Sequence, residues 1–470
     1  MSSTNYKRAS TCYLVGNIFN KGIAFLTVPI FTRILSTADY GIVTTYNSWI
    51  GILAMVMGFA LHMGIRMASV DYKEQLDDFM STIVLFISLT SFGVIIIVTV
   101  GTVILNIDVN IFLVTLCLLQ AYFTAVIEDY SHYLMMQYRY KFRTLLMILP
   151  NLVSVILSII VIMFVLKTEL YWGRIVPTAL VYLVIGIAVV IMVLRRGKIS
   201  VNWKYVKYGL AISAPLIIHG IALNVLSQSD RIMITWLADT SQTGIYSLIY
   251  NFSMIATVIT TSLEGVWIPW FTEKMIKRSI SDINKFAAYY INLMTYTMVC
   301  LILVAPEIVK ILASKNYWEG IAIIPPIVLA NYVIFIYSLY VNIEHYYKKT
   351  VNITFNTVIA ALMNIVLNLI FIPKYGYVAA AYTTLTAYIV SLVMHSTYAR
   401  RLESNLFPVK MLIRPMIHIC LTVVLFYTLT NYGVIRWLLM TIYFGLMVLR
   451  EKNRIFEFFP EIRDRLKVKK

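Results

Sequence analysis

Residues 11–49, TCYLVGNIFNKGIAFLTVPIFTRILSTADYGIVTTYNSW, decide how the rest of the chain is read. The stretch begins as an apolar run long enough to cross a bilayer, yet Lys21 lies in its middle. Asn17, one helical turn earlier, falls on the same face as Lys21. Pro29 frees a backbone carbonyl where it would bend the helix. The run closes at Thr32-Arg33, and a second apolar run starts after Tyr40-Gly41. An ammonium at bilayer depth costs about 2.5–3.5 kcal/mol to insert, so it belongs in a polar cavity or against a partner rather than in lipid. The expectation is a membrane bundle whose other segments wall a cavity that uses positive charge.

Composition agrees. The 470 residues are 60% hydrophobic and 13% charged, with a mean hydropathy of +0.80, more apolar surface than a soluble domain can hide. The weak ten-residue alternation of an outer-membrane barrel is missing, so the spans should be helices. Lys7 and Arg8 precede the first run in the manner of a signal peptide. That run is too long, contains Lys21 and lacks a small-residue cleavage site, so it reads as a retained first helix. Cys12, Cys117, Cys300 and Cys420 are far apart in apolar surroundings, which argues for small hydrophobic side chains rather than a metal or disulfide framework. The net charge of +17 is not a nucleic-acid footprint, because the basic residues sit in short loops with no basic domain of their own.

At about 20 residues per crossing, apolar runs near 10–34, 42–64, 79–105, 110–130, 143–166, 172–194, 209–231, 243–263, 287–304, 321–343, 350–371, 377–397, 411–430 and 434–449 predict an all-α polytopic protein of about fourteen spans. With the N-terminus inside, 30 of the 39 Lys and Arg fall in cytoplasmic segments, seven in external loops and two, Lys21 and Arg231, within spans. That asymmetry predicts both termini cytoplasmic. Residues 264–286 read as an amphipathic stretch lying on the membrane surface, and residues 450–470 as a basic tail near anionic lipid. Gly41 and Gly244 open the second and eighth spans, and Gly173 and Gly376 open the sixth and twelfth. Each pair is 203 residues apart. The shared offset predicts two six-helix lobes, 1–203 and 204–403, an appended helix pair at 404–449, and a binding site between the repeats.

Polar residues at helical spacing on apolar spans mark the candidate cavity. Asn224, Ser227, Gln228 and Arg231 share one face of the seventh span, and Asn352, Asn356, Asn364 and Asn368 form an i+4 ladder on the eleventh. Hydrogen bonding that glues helices together explains the ladder as well as cavity lining does. Arg231 could equally snorkel to the outer interface or pair with Asp230. Ordered by depth, Arg66, Arg139, Lys141 and Arg143 lie toward the cytoplasm, Lys21 near the middle, and Arg33 and Arg231 toward the outside. A diphosphate travelling outward would meet cations throughout. Among the acidic residues Asp39, Glu128, Asp129, Asp230 and Glu264, none reads as central. His219 and the other histidines are dispersed, and Trp49, Trp172, Trp236, Trp267 and Trp270 suit interfacial anchoring.

Several of these segments resemble a known family. Pro29-x-x-Thr32-Arg33-x-Leu35 followed by Tyr40-Gly41 resembles the first-helix signature of bacterial O-antigen and capsule flippases. These are the Wzx-type members of the multidrug/oligosaccharidyl-lipid/polysaccharide exporter superfamily. Asp230-Arg231-x-Met233 with Gly244-x-Tyr246-Ser247, and Asn364-x-x-x-Asn368 before Pro373-x-Tyr375-Gly376, are similar to that family's second half. The resemblance implies two lobes, an appended helix pair and alternating access around a cationic cavity. Its cargo would be an oligosaccharide on polyprenyl diphosphate, carried from the cytoplasmic to the periplasmic leaflet of the inner membrane. It also implies Lys21, Arg33, Arg66 and Arg231 as diphosphate contacts. Asn17, Asn224, Gln228, Asn364 and Asn368 would be polar lining, with Arg139 and Lys141 at the cytoplasmic mouth. Polysaccharide polymerase and glycosyltransferases would be the protein partners, the phospholipid bilayer the setting, and no nucleic acid would be involved. No enzyme activity and no cofactor is implied. Coupling to a proton, to sodium or to the membrane potential has no motif that maps here.

Two other functions compete. A cation-coupled multidrug exporter of the same superfamily would need acidic cavity residues, whereas the first span carries Lys21 and no carboxylate precedes Asp39. A membrane polymerase or acyltransferase would need a sizeable external loop or a nucleophile–base pair, and neither is evident. A Walker-type segment for an ATP-driven pump is also lacking.

Overall fold

The computed structural model describes residues 19, 22–23 and 25–458. Asn17 and Lys21 lie outside the described residues, as does 459–470 of the basic tail. The described elements are α1 (Phe25–Ile34), α2 (Thr37–Gly58), α3 (His62–Asp71), α4 (Leu76–Ile104), α5 (Ile111–Met136), α6 (Tyr140–Phe164), α7 (Trp172–Leu194) and α8 (Trp203–Leu237). They continue with α9 (Thr240–Ile276), α10 (Ile280–Leu312), α11 (Ile324–Tyr346), α12 (Thr350–Leu402), α13 (Lys410–Thr428) and α14 (Gly433–Phe458). The fold is all-α, as expected.

Eleven of these elements are long and apolar enough to cross a membrane, and α8, bent by 54° between Trp203–Ala214 and Ile217–Leu237, makes a twelfth. A straight helix of 53 residues like α12 would be about 80 Å long, far beyond one bilayer. It is broken at Gly376, whose φ of 57° and ψ of −146° lie outside the helical region, so it serves as two passes. Residues 264–286 are not a separate surface helix. They divide between the end of the 37-residue α9 and the start of α10, because the helical hydrogen-bond ladder continues through the amphipathic sequence until the turn at 277–279.

The chain forms two compact units, Met1–Leu248 with Lys349–Ser391, and Ile249–Lys348 with Leu392–Lys470. In the first, α2 packs on α5 and α8, α6 packs on α7, and α3 lies against α5 and α8. The entrance of α2 is fixed by a capping box. Ser36 Oγ accepts from the Asp39 amide at 3.0 Å, and the Asp39 carboxylate accepts from the Ser36 amide at 3.3 Å. The entrance of α9 carries a cap at the corresponding position 203 residues later, where Asp239 accepts from both the backbone amide and the side chain of Gln242 at 2.8 Å.

These two entrances touch through backbone. A Cβ on Gly41 would sit 1.7 Å from the Thr240 carbonyl oxygen, and one on Gly244 would sit 2.0 Å from that of Thr37. The surrounding hydroxyls follow the same reciprocity, Thr37 with Ser241 at 2.6 Å and Thr44 with Ser247 at 2.9 Å. The third residue after each cap also reaches a later helix in corresponding fashion. Asp39 accepts from the Tyr171 amide at 3.4 Å, and Gln242 accepts from the Tyr377 amide at 3.0 Å, just after the Gly376 break. At its other end α2 stops at Phe59 and Ala60, both left-handed at φ 50° and 48°. The carbonyl freed there accepts from Ser213 Oγ at 3.1 Å.

In the second unit α10 packs against α11, α13 and α14. Arg436 of α14 is fully buried, pairs with Glu307 of α10 and donates to the Thr430 carbonyl at 2.7 Å. That pairing holds the last helix to α10 although its remaining faces are apolar and exposed. A Trp267, Phe271, Phe286, Tyr290 and Phe407 cluster packs the far end.

Gly41→Leu should separate the α2 and α9 entrances and lower stability by about 1–3 kcal/mol, the usual penalty of overpacking. Thermal melting of the purified protein checks this against Gly93→Ala, where a Cβ meets open space. An unchanged melting temperature for Gly41→Leu would contradict the contact.

Candidate functional site

Asp230 of α8 is buried at 1% exposure, and three side chains from α9 and α12 converge on its carboxylate. Tyr246 of α9 donates at 2.5 Å and Thr384 of α12 at 2.6 Å to Oδ2, while Asn368 of α12 donates at 2.8 Å to Oδ1. A second layer orients these donors. Asn364 donates to Thr384 at 3.0 Å and accepts from Asn368 and from Ser229, both at 3.2 Å, and Thr383 donates to Asn368. A carboxylate at such depth is tolerable because neutral donors replace its water. Both carboxylate oxygens are thus engaged by neutral donors. Among the described residues no group of three or more His, Cys, Asp or Glu could hold a metal ion.

Arg231, the next residue, is also buried and turns the other way, donating to the Ser227 carbonyl at 3.1 Å and to Gln228 at 3.0 Å. Gln228 in turn accepts from Ser48 of α2 at 3.1 Å. Adjacent residues on a helix point about 100° apart, so Asp230 and Arg231 serve different interhelical seams. Asn224 is half-buried and bonded to its own helix at the Gly220 carbonyl, 3.0 Å away.

A second group of cations has a different character. Arg174 of α7 lies 4.6 Å over the Phe31 ring and donates to Ser158 of α6 at 3.2 Å. Arg66 of α3 donates to Nδ1 of His132 on α5 at 3.1 Å, and its Nε is buried with no hydrogen-bond partner. Among the described residues, neither guanidinium forms a salt bridge. Arg33 is exposed at the end of α1, and Arg139 and Lys141 are exposed where α5 turns into α6.

Of the residues the sequence singled out, the fold brings Asn364 and Asn368 together with Asp230 in one buried network. It sets Gln228 with Arg231 on a second seam and leaves Arg33, Arg139 and Lys141 at the surface. Asp230 does not read as central in the sequence, yet the fold buries it at the middle of this network. Thr383, Thr384 and Tyr246 carried no periodic signal, since the network forms across helices. Arg174 adjoins Gly173 of the repeat, which is the signal that could have found it.

A family model described as "Polysaccharide biosynthesis protein" matches residues 7–275. No curated protein sequence is matched. Among solved structures, the chain is similar to the lipid II flippase MurJ in an inward closed conformation, at 16% identity and a TM-score of 0.70, covering 95% of this chain and 99% of that one. An inward-facing multidrug resistance MATE transporter of the MOP superfamily follows at 12% identity and a TM-score of 0.58, covering 82% and 95%. A MOP superfamily transporter from Pyrococcus furiosus, whose binding pocket is described as of reverse polarity, aligns at 12% identity and a TM-score of 0.53, covering 85% and 96%. At these identities the likeness is one of fold, shared with a flippase and with transporters rather than with enzymes. The family match spans more than half of the sequence, and the chain belongs to the polysaccharide biosynthesis protein family.

Proposed function

We propose that the protein is a flippase that carries a polyprenyl-diphosphate-linked oligosaccharide from the cytoplasmic to the external leaflet of the bacterial inner membrane, for O-antigen, capsule or a related surface polysaccharide. The observation that carries this reading is the imbalance of interior charge. Arg66 and Arg174 have neutral hydrogen-bond partners and no salt bridge among the described residues, while the buried Asp230 is consumed by its own network. An interior with cations to spare favours an anionic cargo, and a diphosphate offers strong charge-assisted acceptors. A cationic drug would require the reverse.

In this reading both termini face the cytoplasm, and the 203-residue repeat reflects two six-helix lobes, 1–203 and 204–403, that alternate access. Lys21, Arg33, Arg66 and Arg231 contact the diphosphate along its path, Arg139 and Lys141 draw it to the cytoplasmic mouth, and Asn17, Asn224, Gln228, Asn364 and Asn368 contribute polar lining. The apolar groove along α13, lined by Leu412, Met416, Ile417 and Cys420, suits the polyprenyl chain. Glycosyltransferases supply the cargo and a polymerase consumes it.

Depleting the protein in its native host and profiling polyprenyl-diphosphate lipids by mass spectrometry should reveal a complete, unpolymerised oligosaccharide unit. Drug sensitivity without such accumulation would transfer the assignment to a multidrug exporter. Lys21→Ala should abolish surface polysaccharide while the protein still accumulates in the membrane, and Lys21→Arg should retain part of it. Normal polymer with Lys21→Ala removes the cationic-cavity reading. Asp230→Ala, which leaves the Tyr246, Thr384 and Asn368 donors without their common acceptor, should lower the melting temperature of the purified protein. An unchanged melting temperature would contradict the network's role in holding these helices together.

A further inference from the structure

α2 is 22 residues long, about 33 Å, which is close to the full hydrocarbon thickness of a bilayer. α3 therefore starts at the headgroup level of the membrane face opposite Thr37. α5 gives the same answer independently, because His132 lies 21 residues beyond Ile111, or about 32 Å. At this level His62 and His132 stack with ring centroids 4.9 Å apart, and Arg66, one turn after His62 on the same face of α3, donates to Nδ1 of His132. A third element contributes Arg143 of α6, whose charge reaches both Arg66 and His132.

We infer that His62, Arg66 and His132 form a binding station for the phosphate group of a lipid, at headgroup depth on this face. The cluster has several potential N–H donors and, among the described residues, no salt bridge to a carboxylate. Asp129 is nearby and accepts from the backbone N–H of His62 at the start of α3, where it complements the helix dipole, while its Oδ2 is buried without a hydrogen-bond partner. Arg66 rests on an imidazole nitrogen that can accept only while unprotonated. That is a weaker contact than a charge-assisted bond to a phosphate oxygen, and the Nε of Arg66 has no partner at all. His62, Arg66 and His132 are each half-buried, dry enough to strengthen a charged contact and still reachable from the interface. The backing is rigid, since α3 is pressed onto α8 where a Cβ on Gly64 would lie 2.9 Å from Gly209. The station extends the flippase reading, which supplies the carrier as the lipid. The phosphate chemistry stands without it.

The test uses the full-length protein in a maltoside detergent, which has no phosphate, with lipid retention read by native mass spectrometry. Undecaprenyl diphosphate, undecaprenol and phosphatidylglycerol are the probes. Wild type should retain the diphosphate in preference to undecaprenol. Arg66→Gln and the His62→Asn/His132→Asn double variant should each bind it about tenfold more weakly, with Arg66→Lys intermediate. Melting temperatures of all variants should match wild type, and Arg66→Lys keeps the test valid if Arg66→Gln does not fold. Equal retention of phosphatidylglycerol, lost in the same variants, would support the station and assign it to bulk lipid. Unchanged affinities in the variants, or no preference for a phosphate-bearing lipid in wild type, would overturn it. Carrier accumulation on depletion is a separate result, so the flippase reading can fail or stand independently.

Discussion

A charge inside a bilayer must be neutralised by the surrounding fold or by something that arrives from outside, because lipid offers neither water nor counter-ions. The fold meets this requirement from within for three of its acids, whereas Asp129 is buried with one oxygen unpartnered. Asp230 receives hydrogen bonds from three side chains, Glu307 is matched to Arg436, and Glu344 meets His395 at 2.8 Å with both side chains buried. Arg66 and Arg174 are treated differently, with a neutral imidazole and a serine hydroxyl as partners. The anionic cargo proposed above would bring these guanidinium groups the charge that their neutral partners lack. Removing one partner of a buried pair is costly, on the order of 3–5 kcal/mol, so the acids are not freely lent to a passing cation.

The other organising constraint is steric. The entrances of α2 and α9 approach until each glycine meets the first carbonyl of the opposing helix, and no side chain could occupy either position. The caps flanking this contact, Ser36 with Asp39 and Asp239 with Gln242, use their third residue twice. Asp39 and Gln242 belong to the helix start and also take a backbone amide from a later segment, Tyr171 in one case and Tyr377 in the other. A single local motif thus fixes both where a helix begins and which later helix lies beside it. The 203-residue offset accordingly appears in glycines and cap positions rather than in the apolar residues between them. Apolar side chains facing lipid need only be apolar, whereas a cap or a backbone contact needs one specific chemistry.

What could be read from the sequence divides along the same line. Features carried by a single helix were legible: the spans, the i+4 spacing of Asn364 and Asn368, the face shared by Gln228 and Arg231, and the glycine offset. Features created by convergence of several helices were not. Asp230 and Arg231 look like an adjacent ion pair in sequence, yet their side chains leave the helix about 100° apart and enter separate networks. Thr383 and Thr384 sit among many span threonines, and only the placement of α12 beside α8 gives them a carboxylate to bind. The histidines at 62 and 132 appear dispersed until the break after α2 brings their rings together. The amphipathic stretch at 264–286 divides between α9 and α10, since amphipathic periodicity alone does not say where one helix ends and the next begins.

That break after α2 shows how one segment serves two ends of the bundle. Phe59 and Ala60 both adopt left-handed backbone, a conformation that costs a residue with a side chain on the order of 1–3 kcal/mol and persists only where its surroundings impose it. Here the surroundings are specific: Ser213 takes the freed Ala60 carbonyl, Leu61 is completely buried, and Gly64 lies directly on Gly209. An uninterrupted helix would keep the phase set at Gly41 and carry it through to Arg66. Interrupting it lets the entrance of α2 satisfy the glycine contact with α9 while α3 independently aims His62 and Arg66 at His132. The strain at two residues thereby decouples the tight steric fit at one face of the membrane from the polar chemistry at the other. A straight span could not meet both demands at once.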